Sequence, residues 1–382
     1  MIVLKDRSHA VQIITLLLYA GEFPYYSLGM LGNERTIKNV VNKMSERQEV
    51  QDEDGKIVFV GKILNISSKG MLKTIRLNRY ALPFIKEKYP DLYGYYMEHT
   101  NQHKFRGDRG SLDRNHRIAE SILMLLRSGI KMLPSGIPKL QVQDRIPLSF
   151  EEPAFYHSRI LKTIGKNGLK KNQYTRLVGG LFYDTGSFAV YNTRNTAMKW
   201  CGDGERKTRQ NWEKIIIKNT DFSPDNSCVL FGKSYDIAHK TIVELQTNPK
   251  EEENFGQIYK FIHFVPMNEF GRKLLLILTS PDWQFELFQL MFTEEEIRKE
   301  RGSFRYDALV DGDFTLSFLD SDLVKFFRFF EHVKVHHVPA SVVCFQEQEE
   351  FVKYYLADEA KIRVFSIDQM LDTLNCERSG II

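Results

Sequence analysis

The first 77 residues of this chain carry a succession of patterns that few folds accommodate. Apolar residues recur with helical spacing over 9–19 and 34–47, and a short helix fits 25–31 between them. Two β-rich runs follow, over 56–64 and 71–77, joined by a polar, glycine-containing segment that suits a hairpin turn. Three helices followed at once by a hairpin predict a winged helix-turn-helix domain.

The third predicted helix combines an apolar stripe with a polar, basic surface. Ile37, Val41 and Met44 fall on one face, while Arg, Lys and Asn occupy the others. Cations neutralise phosphates, and Asn or Arg side chains read base edges in the major groove. A winged helix that binds protein instead remains the alternative. The predicted DNA-contacting residues are Arg35, Lys38, Asn39, Asn42, Lys43 and Arg47 in the helix, and Lys62, Lys69, Lys73 and Arg76 in the hairpin.

Charge is distributed unevenly along the chain. Residues 1–131 contain 21 Lys and Arg against 14 Asp and Glu, whereas the remainder contains 32 basic and 35 acidic residues. A basic first third beside a faintly acidic remainder favours a polyanionic partner for the first part alone. Double-stranded DNA is therefore the expected partner.

The sequence predicts three segments. Residues 1–98 form the winged-helix domain with a helical extension, 99–113 form a basic linker, and 114–382 form an α/β or α+β domain. In the last segment short apolar runs alternate with amphipathic ones, which is typical of a sheet with helices packed on it. A hairpin is predicted over 180–191, with its turn at Thr185-Gly186.

An N-terminal winged helix, a charged junction and a C-terminal α/β domain resemble the replication-relaxation proteins of plasmids and conjugative elements in Gram-positive bacteria. The local sequences that carry the resemblance are HRIAE at 116–120 and the stretch from the hairpin to Trp200. The resemblance implies a DNA-associated role in replication, conjugative transfer or regulation of a mobile element. It also implies a restriction-endonuclease-like fold for the C-terminal domain, often without an evident active site.

A nuclease of that fold class needs an Asp and an Asp/Glu-x-Lys pair on adjacent strands, where they hold a divalent metal against a phosphodiester. Asp184 ends the first hairpin strand, and Glu205 and Lys207 have the required spacing. Glu205 and Lys207 follow glycines, however, and we expect a loop there. Asp184, Glu205 and Lys207 are the candidate catalytic residues, but we favour ordinary turn and surface charges.

Other catalytic patterns are missing from the sequence. It has no His-x-His pair, no GxxxxGK[ST] phosphate loop and no GxSxG nucleophile motif. We therefore expect no cofactor and no metal site, and a binding protein rather than an enzyme. Two alternatives stay open: a metal-dependent DNA nuclease or nickase, and a transcriptional regulator that senses a ligand.

The sequence also bears on location and further partners. No apolar run reaches the ~20 residues of a membrane span, so no membrane partner is expected. Four scattered cysteines form no CxxC pair, which is typical of a reducing, cytoplasmic compartment. A second copy of the chain and other replication or transfer proteins are candidate partners beside DNA.

Overall fold

The computed structural model describes residues 1–69, 72–105, 107–132, 150–161, 176–200, 203–224, 226–248, 255–297 and 304–382. These residues form two compact units. Of the described chain, the first unit holds residues 1–132, 155–161 and 380–382, and the second holds 150–154 and the part between 176 and 379. Both units combine helices with strands, which confirms the expected mixed α/β class.

The first unit begins with short strands and helices in alternation. Its helices are α1 (His9–Ala20), α2 (Glu34–Met44), α3 (Leu82–Lys88), α4 (Pro90–His99), α5 (Arg109–Arg127) and α6 (Ser158–Leu161), with 3₁₀ turns at Tyr25–Leu31 and Arg79–Ala81. Its strands are β1 (Ile2–Val3), β2 (Glu22–Pro24), β3 (Gln48–Gln51), β4 (Ile57–Gly61), β5 (Leu64–Lys69), β6 (Leu72–Leu77), β7 (Lys131–Met132) and β8 (Ala154–His157).

Helix α1 lies at the centre of the first unit, in contact with α2, α4 and α5. Ile13 and Leu17 are fully buried. The helix begins where Ser8 Oγ accepts a hydrogen bond from the Val11 amide at 3.4 Å. It ends at Gly21, whose φ of +83° would strain any side chain. The chain therefore leaves the helix directly into β2.

Three strands form a sheet in the order β2-β6-β5. β5 and β6 are antiparallel, with Leu64 opposite Leu77 and Lys69 opposite Leu72. The prediction of a turn over 65–70 is therefore wrong, because most of that segment is strand β5. Its polar residues mislead since one face of an antiparallel strand is solvated, and Asn65 is exposed here. The run over 56–64 instead supplies β4, which pairs with β3 in a separate sheet.

Helix α5 packs against the β2-β6-β5 sheet, mainly at β2. It begins at Arg109, because Asp108 Oδ1 accepts a hydrogen bond from the Ser111 amide at 2.7 Å. His116 Nε2 lies 2.8 Å from Thr74 Oγ1 on β6. The residues assigned to a linker over 99–113 therefore include the first turn of this helix. The helix expected to open the second domain is part of the first unit instead.

The second unit is larger and contains most of the strands that run parallel. Its helices are α7 (Asp203–Asn219), α8 (Tyr235–Thr247), α9 (Glu269–Leu278), α10 (Trp283–Met291), α11 (Leu323–His336), α12 (Glu349–Leu356) and α13 (Ile367–Thr373), with a 3₁₀ turn at Gln346–Gln348. Its strands are β9 (Leu177–Tyr183), β10 (Gly186–Arg194), β11 (Ser227–Gly232), β12 (Phe261–Pro266), β13 (Ala308–Val310), β14 (Asp313–Ser317), β15 (Ala340–Phe345) and β16 (Ala360–Phe365).

Two groups of strands organise the second unit, in the orders β12-β11-β10-β9 and β13-β14-β15-β16. β9 and β13 are antiparallel to their neighbours β10 and β14. The other neighbouring pairs are parallel. Helices join the successive parallel strands, as parallel pairing requires. The expected alternation of strands and helices is confirmed here.

The predicted hairpin over 180–191 is present as β9 and β10. Its turn lies one residue earlier than predicted, at Asp184-Thr185, because Gly186 already pairs with Tyr183. A side chain at Gly180 would collide with the Trp212 indole. Helix α7, which carries Trp212, thus packs closely against this strand.

Candidate nucleic-acid interface

Helix α2 presents a polar face on the first unit. Asn33 Oδ1 caps it by accepting a hydrogen bond from the Thr36 amide at 3.1 Å. Ile37, Val41 and Met44 are fully buried, as the apolar stripe predicts. The predicted contact residues on the other faces are exposed, namely Arg35, Asn39, Asn42 and Lys43.

Two of the predicted α2 cations are placed differently from the rest. Lys38 is partly exposed, and its Nζ lies 2.5 Å from Glu34 Oε1. The hydrogen bond with Glu34 raises the pKa of Lys38, so this ammonium stays protonated. Arg47 lies beyond the helix, which ends at Met44, and it is exposed in the connection to β3. Arg47 is therefore presented by a loop rather than by the helix.

The β5–β6 hairpin brings one predicted lysine to α2. Lys73 lies opposite Ser68 near the hairpin turn, and its Nζ is 3.9 Å from the centroid of the Tyr25 ring. Lys38 Nζ lies 5.5 Å from the same centroid. The Tyr25 hydroxyl donates to Asn42 Oδ1 at 3.3 Å. One tyrosine thus links two cations and an amide from the helix and the hairpin.

Tyr25 is a residue that the sequence analysis did not single out. It is one of 17 tyrosines in the chain, and its position after Pro24 carries no signal of its own. Only the fold places Tyr25, the first residue of the 3₁₀ turn, next to both α2 and β6. We call Tyr25, Lys38, Asn42 and Lys73 the tyrosine cluster.

The remaining hairpin residues fall in different places. Lys62 is exposed before β5, at the end of the hairpin far from Lys73. A six-residue strand rises roughly 17 Å, so Lys62 is well separated from the tyrosine cluster. The side chain of Lys69 lies outside the described residues.

The side chain of Arg76 is engaged by other residues of the first unit. Glu22, which is fully buried, accepts hydrogen bonds from Arg76 Nε at 2.7 Å and from Asn115 Nδ2 at 2.5 Å. The Arg76 guanidinium also lies 4.5 Å from the centroid of the Phe105 ring. Arg76 was expected to contact DNA, but these contacts hold it inside the first unit. A buried carboxylate needs such a partner.

The candidate catalytic residues of the second unit do not converge. Asp184 is exposed in the β9–β10 turn. Glu205 Oε2 accepts a hydrogen bond from the Tyr191 hydroxyl at 2.9 Å. At roughly 3.4 Å per residue, Tyr191 lies about 17 Å along β10 from that turn. The described part of the chain therefore holds no site that joins Asp184 to Glu205.

The loop expected around Glu205 and Lys207 is wrong. Both residues lie in the first two turns of α7, where Glu205 is buried and Lys207 is exposed. Gly204 near the helix start costs little there, because the helix-breaking effect of glycine acts mainly in helix interiors. Burial raises the pKa of Glu205, and the Tyr191 hydroxyl and Arg176 oppose this shift. The Glu205 carboxyl thus serves as the buried hydrogen-bond acceptor of the Tyr191 hydroxyl.

Comparisons with known proteins add no relative: no family model, no curated protein and no solved structure matches this chain. Across the described ranges, no His, Cys, Asp and Glu residues form a group of three that could hold a metal ion. In the same ranges, no helix is both long and apolar enough to cross a membrane.

Proposed function

We propose that the first unit is a winged-helix domain that binds duplex DNA. α1, the 3₁₀ turn at Tyr25–Leu31, α2 and the β5–β6 hairpin occur along the chain in winged-helix order, with β3 and β4 inserted between α2 and the hairpin. The sheet order β2-β6-β5 supports the proposal, because it pairs the hairpin with the short strand between the first two helices. In this proposal α2 is the recognition helix and the hairpin is the wing.

The tyrosine cluster is the observation that carries the proposal. A helix and a hairpin that contact one duplex must present their cations on a continuous surface. Lys38 and Lys73 come from these two elements and share the Tyr25 ring. A protein-binding winged helix has no need to hold two ammonium groups beside each other, since they repel and raise the cost of an apolar interface.

The two elements divide the contacts in this proposal. α2 enters the major groove, where Arg35, Asn39 and Lys43 reach base edges or the flanking phosphates. Lys73 contacts the phosphate backbone beside the groove. Each phosphate that a cation neutralises releases condensed counterions, so binding weakens as salt rises.

The cellular role that we propose is in replication, conjugative transfer or regulation of a mobile element. It rests on the resemblance in organisation to replication-relaxation proteins. A restriction-endonuclease-like fold of the second unit belongs to the same proposal, and the antiparallel β9–β10 pair extended by parallel β11 is compatible with it. Because Asp184 and Glu205 lie apart, we favour DNA binding over DNA cleavage.

Fluorescence anisotropy with the full chain tests the proposal. A labelled mixed-sequence duplex of about 25 base pairs is titrated at about 50 mM and about 200 mM salt. Lys73→Ala is expected to weaken binding and to lower the slope of log affinity against log salt by about 0.9. The matched control is Lys240→Ala, which removes an exposed lysine of α8 in the second unit. Equal affinity of all three proteins, or no binding at low salt, would overturn the proposal.

The nuclease alternative has its own experiment. Supercoiled plasmid is incubated with the full chain and Mg²⁺ or Mn²⁺, and relaxed and linear products are measured on a gel. We expect the plasmid to stay supercoiled. If the chain nicks the plasmid and Asp184→Ala abolishes nicking while DNA binding is preserved, the protein is a nuclease and the binding proposal is overturned.

A further inference from the structure

A large cavity lies within the second unit, next to the β9–β10 turn. Its volume is about 1000 Å³, at the upper end of the roughly 300–1000 Å³ typical of small-molecule sites. It opens at the carboxyl end of β14, next to Ser317, and at the amino end of β12, next to Phe261. Of these strands, β14 contributes its carboxyl end, which is the usual place for ligands in α/β sheets.

Aromatic rings form much of the cavity wall. The rings come from the β9–β10 pair, from β12 and from α10, so that several elements together line the cavity. Phe285 is 62% exposed at the rim, whereas Trp283 is buried with its ring 5.6 Å from that of His263. The wall includes Tyr183, Phe261, Trp283, Phe285, Phe288 and Tyr306.

Three charged side chains lie together in the cavity lining. Lys325 Nζ is 3.1 Å from Asp307 Oδ2 and 3.5 Å from Asp320 Oδ2. Their side chains are only 10% to 13% exposed. Burial alone would lower the pKa of Lys325, but the neighbouring carboxylates raise it above its usual value. The ammonium therefore stays charged beside the two carboxyl groups.

Two further cations line the cavity. Lys260 precedes β12 and Arg305 precedes β13, and both are exposed. Within the described residues neither side chain has a hydrogen bond or an ion pair. A cation that is left unpaired beside an aromatic wall is available to an anionic group of a ligand.

We propose that this cavity binds a mononucleotide. The base packs on the aromatic wall, where stacking is favourable. Asp307 and Asp320 accept hydrogen bonds from ribose hydroxyl or base amino groups, and Lys260 and Arg305 pair with the phosphate. An apolar ligand would leave Lys260 and Arg305 without an anionic partner, and a simple anion would meet two carboxylates. A nucleotide carries all three matching chemistries.

Isothermal titration calorimetry of the full chain tests this assignment. The probes are AMP, GMP, CMP and UMP, with adenosine and ribose 5-phosphate as fragments, each at up to about 1 mM. We expect at least one nucleotide to bind about tenfold more tightly than its fragments. No binding of any nucleotide, or equal binding of ribose 5-phosphate, would overturn the proposal.

Variants assign the contacts within the cavity. Lys260→Ala and Arg305→Ala are expected to weaken nucleotide binding about tenfold while leaving adenosine binding unchanged. Phe285→Ala, at an exposed rim position, is expected to weaken both nucleotide and nucleoside. Lys240→Ala, outside the cavity lining, is the control. If all three variants bind like the control, the nucleotide lies elsewhere and the proposal is overturned.

Discussion

The side-chain nitrogen of Lys73 lies 3.9 Å from the centroid of the Tyr25 ring, and Lys38 approaches the same ring at 5.5 Å. A cation over an aromatic face gains about 0.5–1 kcal/mol at an exposed site. The ring therefore offsets part of the repulsion between two ammonium groups. In the proposed DNA complex, Tyr25 is a positioning residue for both lysines.

The first prediction concerns this ring. Tyr25→Ala is expected to weaken duplex binding about threefold, because both lysines lose the surface that holds them. Tyr25→Phe keeps the ring and is expected to bind like the original chain. Anisotropy titrations at low salt measure both. The control is Tyr80→Ala, since Tyr80 is 85% exposed elsewhere in the first unit. A loss in the Phe variant as large as in the Ala variant would assign the effect to the hydroxyl.

The second prediction separates sequence preference from general affinity. Arg35→Ala and Asn39→Ala on α2 are expected to change which duplexes bind best, because side chains in the groove read base edges. Lys73→Ala is expected to weaken all duplexes about equally. Selection from a randomised duplex pool, followed by sequencing, measures the preference of each variant. An unchanged preference in both α2 variants would place another element in the groove.

The third prediction concerns the buried pair of Arg76 and Glu22. Arg76→Ala leaves a fully buried carboxylate without its cation, and we expect a loss of about 3 kcal/mol in the free energy of unfolding. Urea unfolding measures this loss. Arg79→Ala removes an exposed cation nearby and is the control. If Arg76→Ala were as stable as the control but bound DNA more weakly, Arg76 would be a DNA contact after all.

The fourth prediction is a loss of stability in acid that originates at His157. Burial, followed by the charges of Arg159 and His99, lowers the pKa of His157 well below its usual 6.5. The unfolded chain therefore takes up a proton first as the pH falls. Keeping His157 neutral therefore costs no stability above about pH 6.5. Below that pH, protonation favours the unfolded chain, and the free energy of unfolding falls progressively.

Urea unfolding at about pH 7.5 and pH 5.5 measures this effect. We expect the original chain to lose on the order of 1 kcal/mol more than His157→Gln over this interval. His337→Gln removes an exposed histidine and is the control. A pH dependence that is the same in all three proteins would assign the acid loss to other groups.

The fifth prediction concerns the candidate catalytic residues of the second unit. Asp184→Ala and Lys207→Ala alter exposed side chains, and we expect changes below about 0.5 kcal/mol. Glu205→Ala leaves the buried Tyr191 hydroxyl with fewer partners and is expected to cost about 1–3 kcal/mol. Glu205→Gln keeps an acceptor and is expected to be milder. Thermal unfolding ranks the four variants, and an Ala variant at 205 as stable as that at 184 would contradict the packing role.

Local patterns in the sequence determined much of the first unit. The spacing of Ile37, Val41 and Met44 identified the buried face of α2, and so also the exposed face that carries Arg35, Asn39 and Lys43. This works because helical periodicity and solvent exposure are properties of neighbouring residues. In the second unit, two apolar runs that flank a short turn located the β9–β10 pair.

Tertiary structure decided which charges are available. Arg76 and Lys73 lie three residues apart on β6 and look alike in the sequence, yet one is held by buried Glu22 and the other reaches Tyr25. The ion pairs of Lys325 with Asp307 and Asp320 could not be predicted from the sequence either, because the three residues come from separate elements. Strand pairing and helix packing bring distant residues together, and the partner that a charged group acquires depends on that approach and not on its neighbours in the chain.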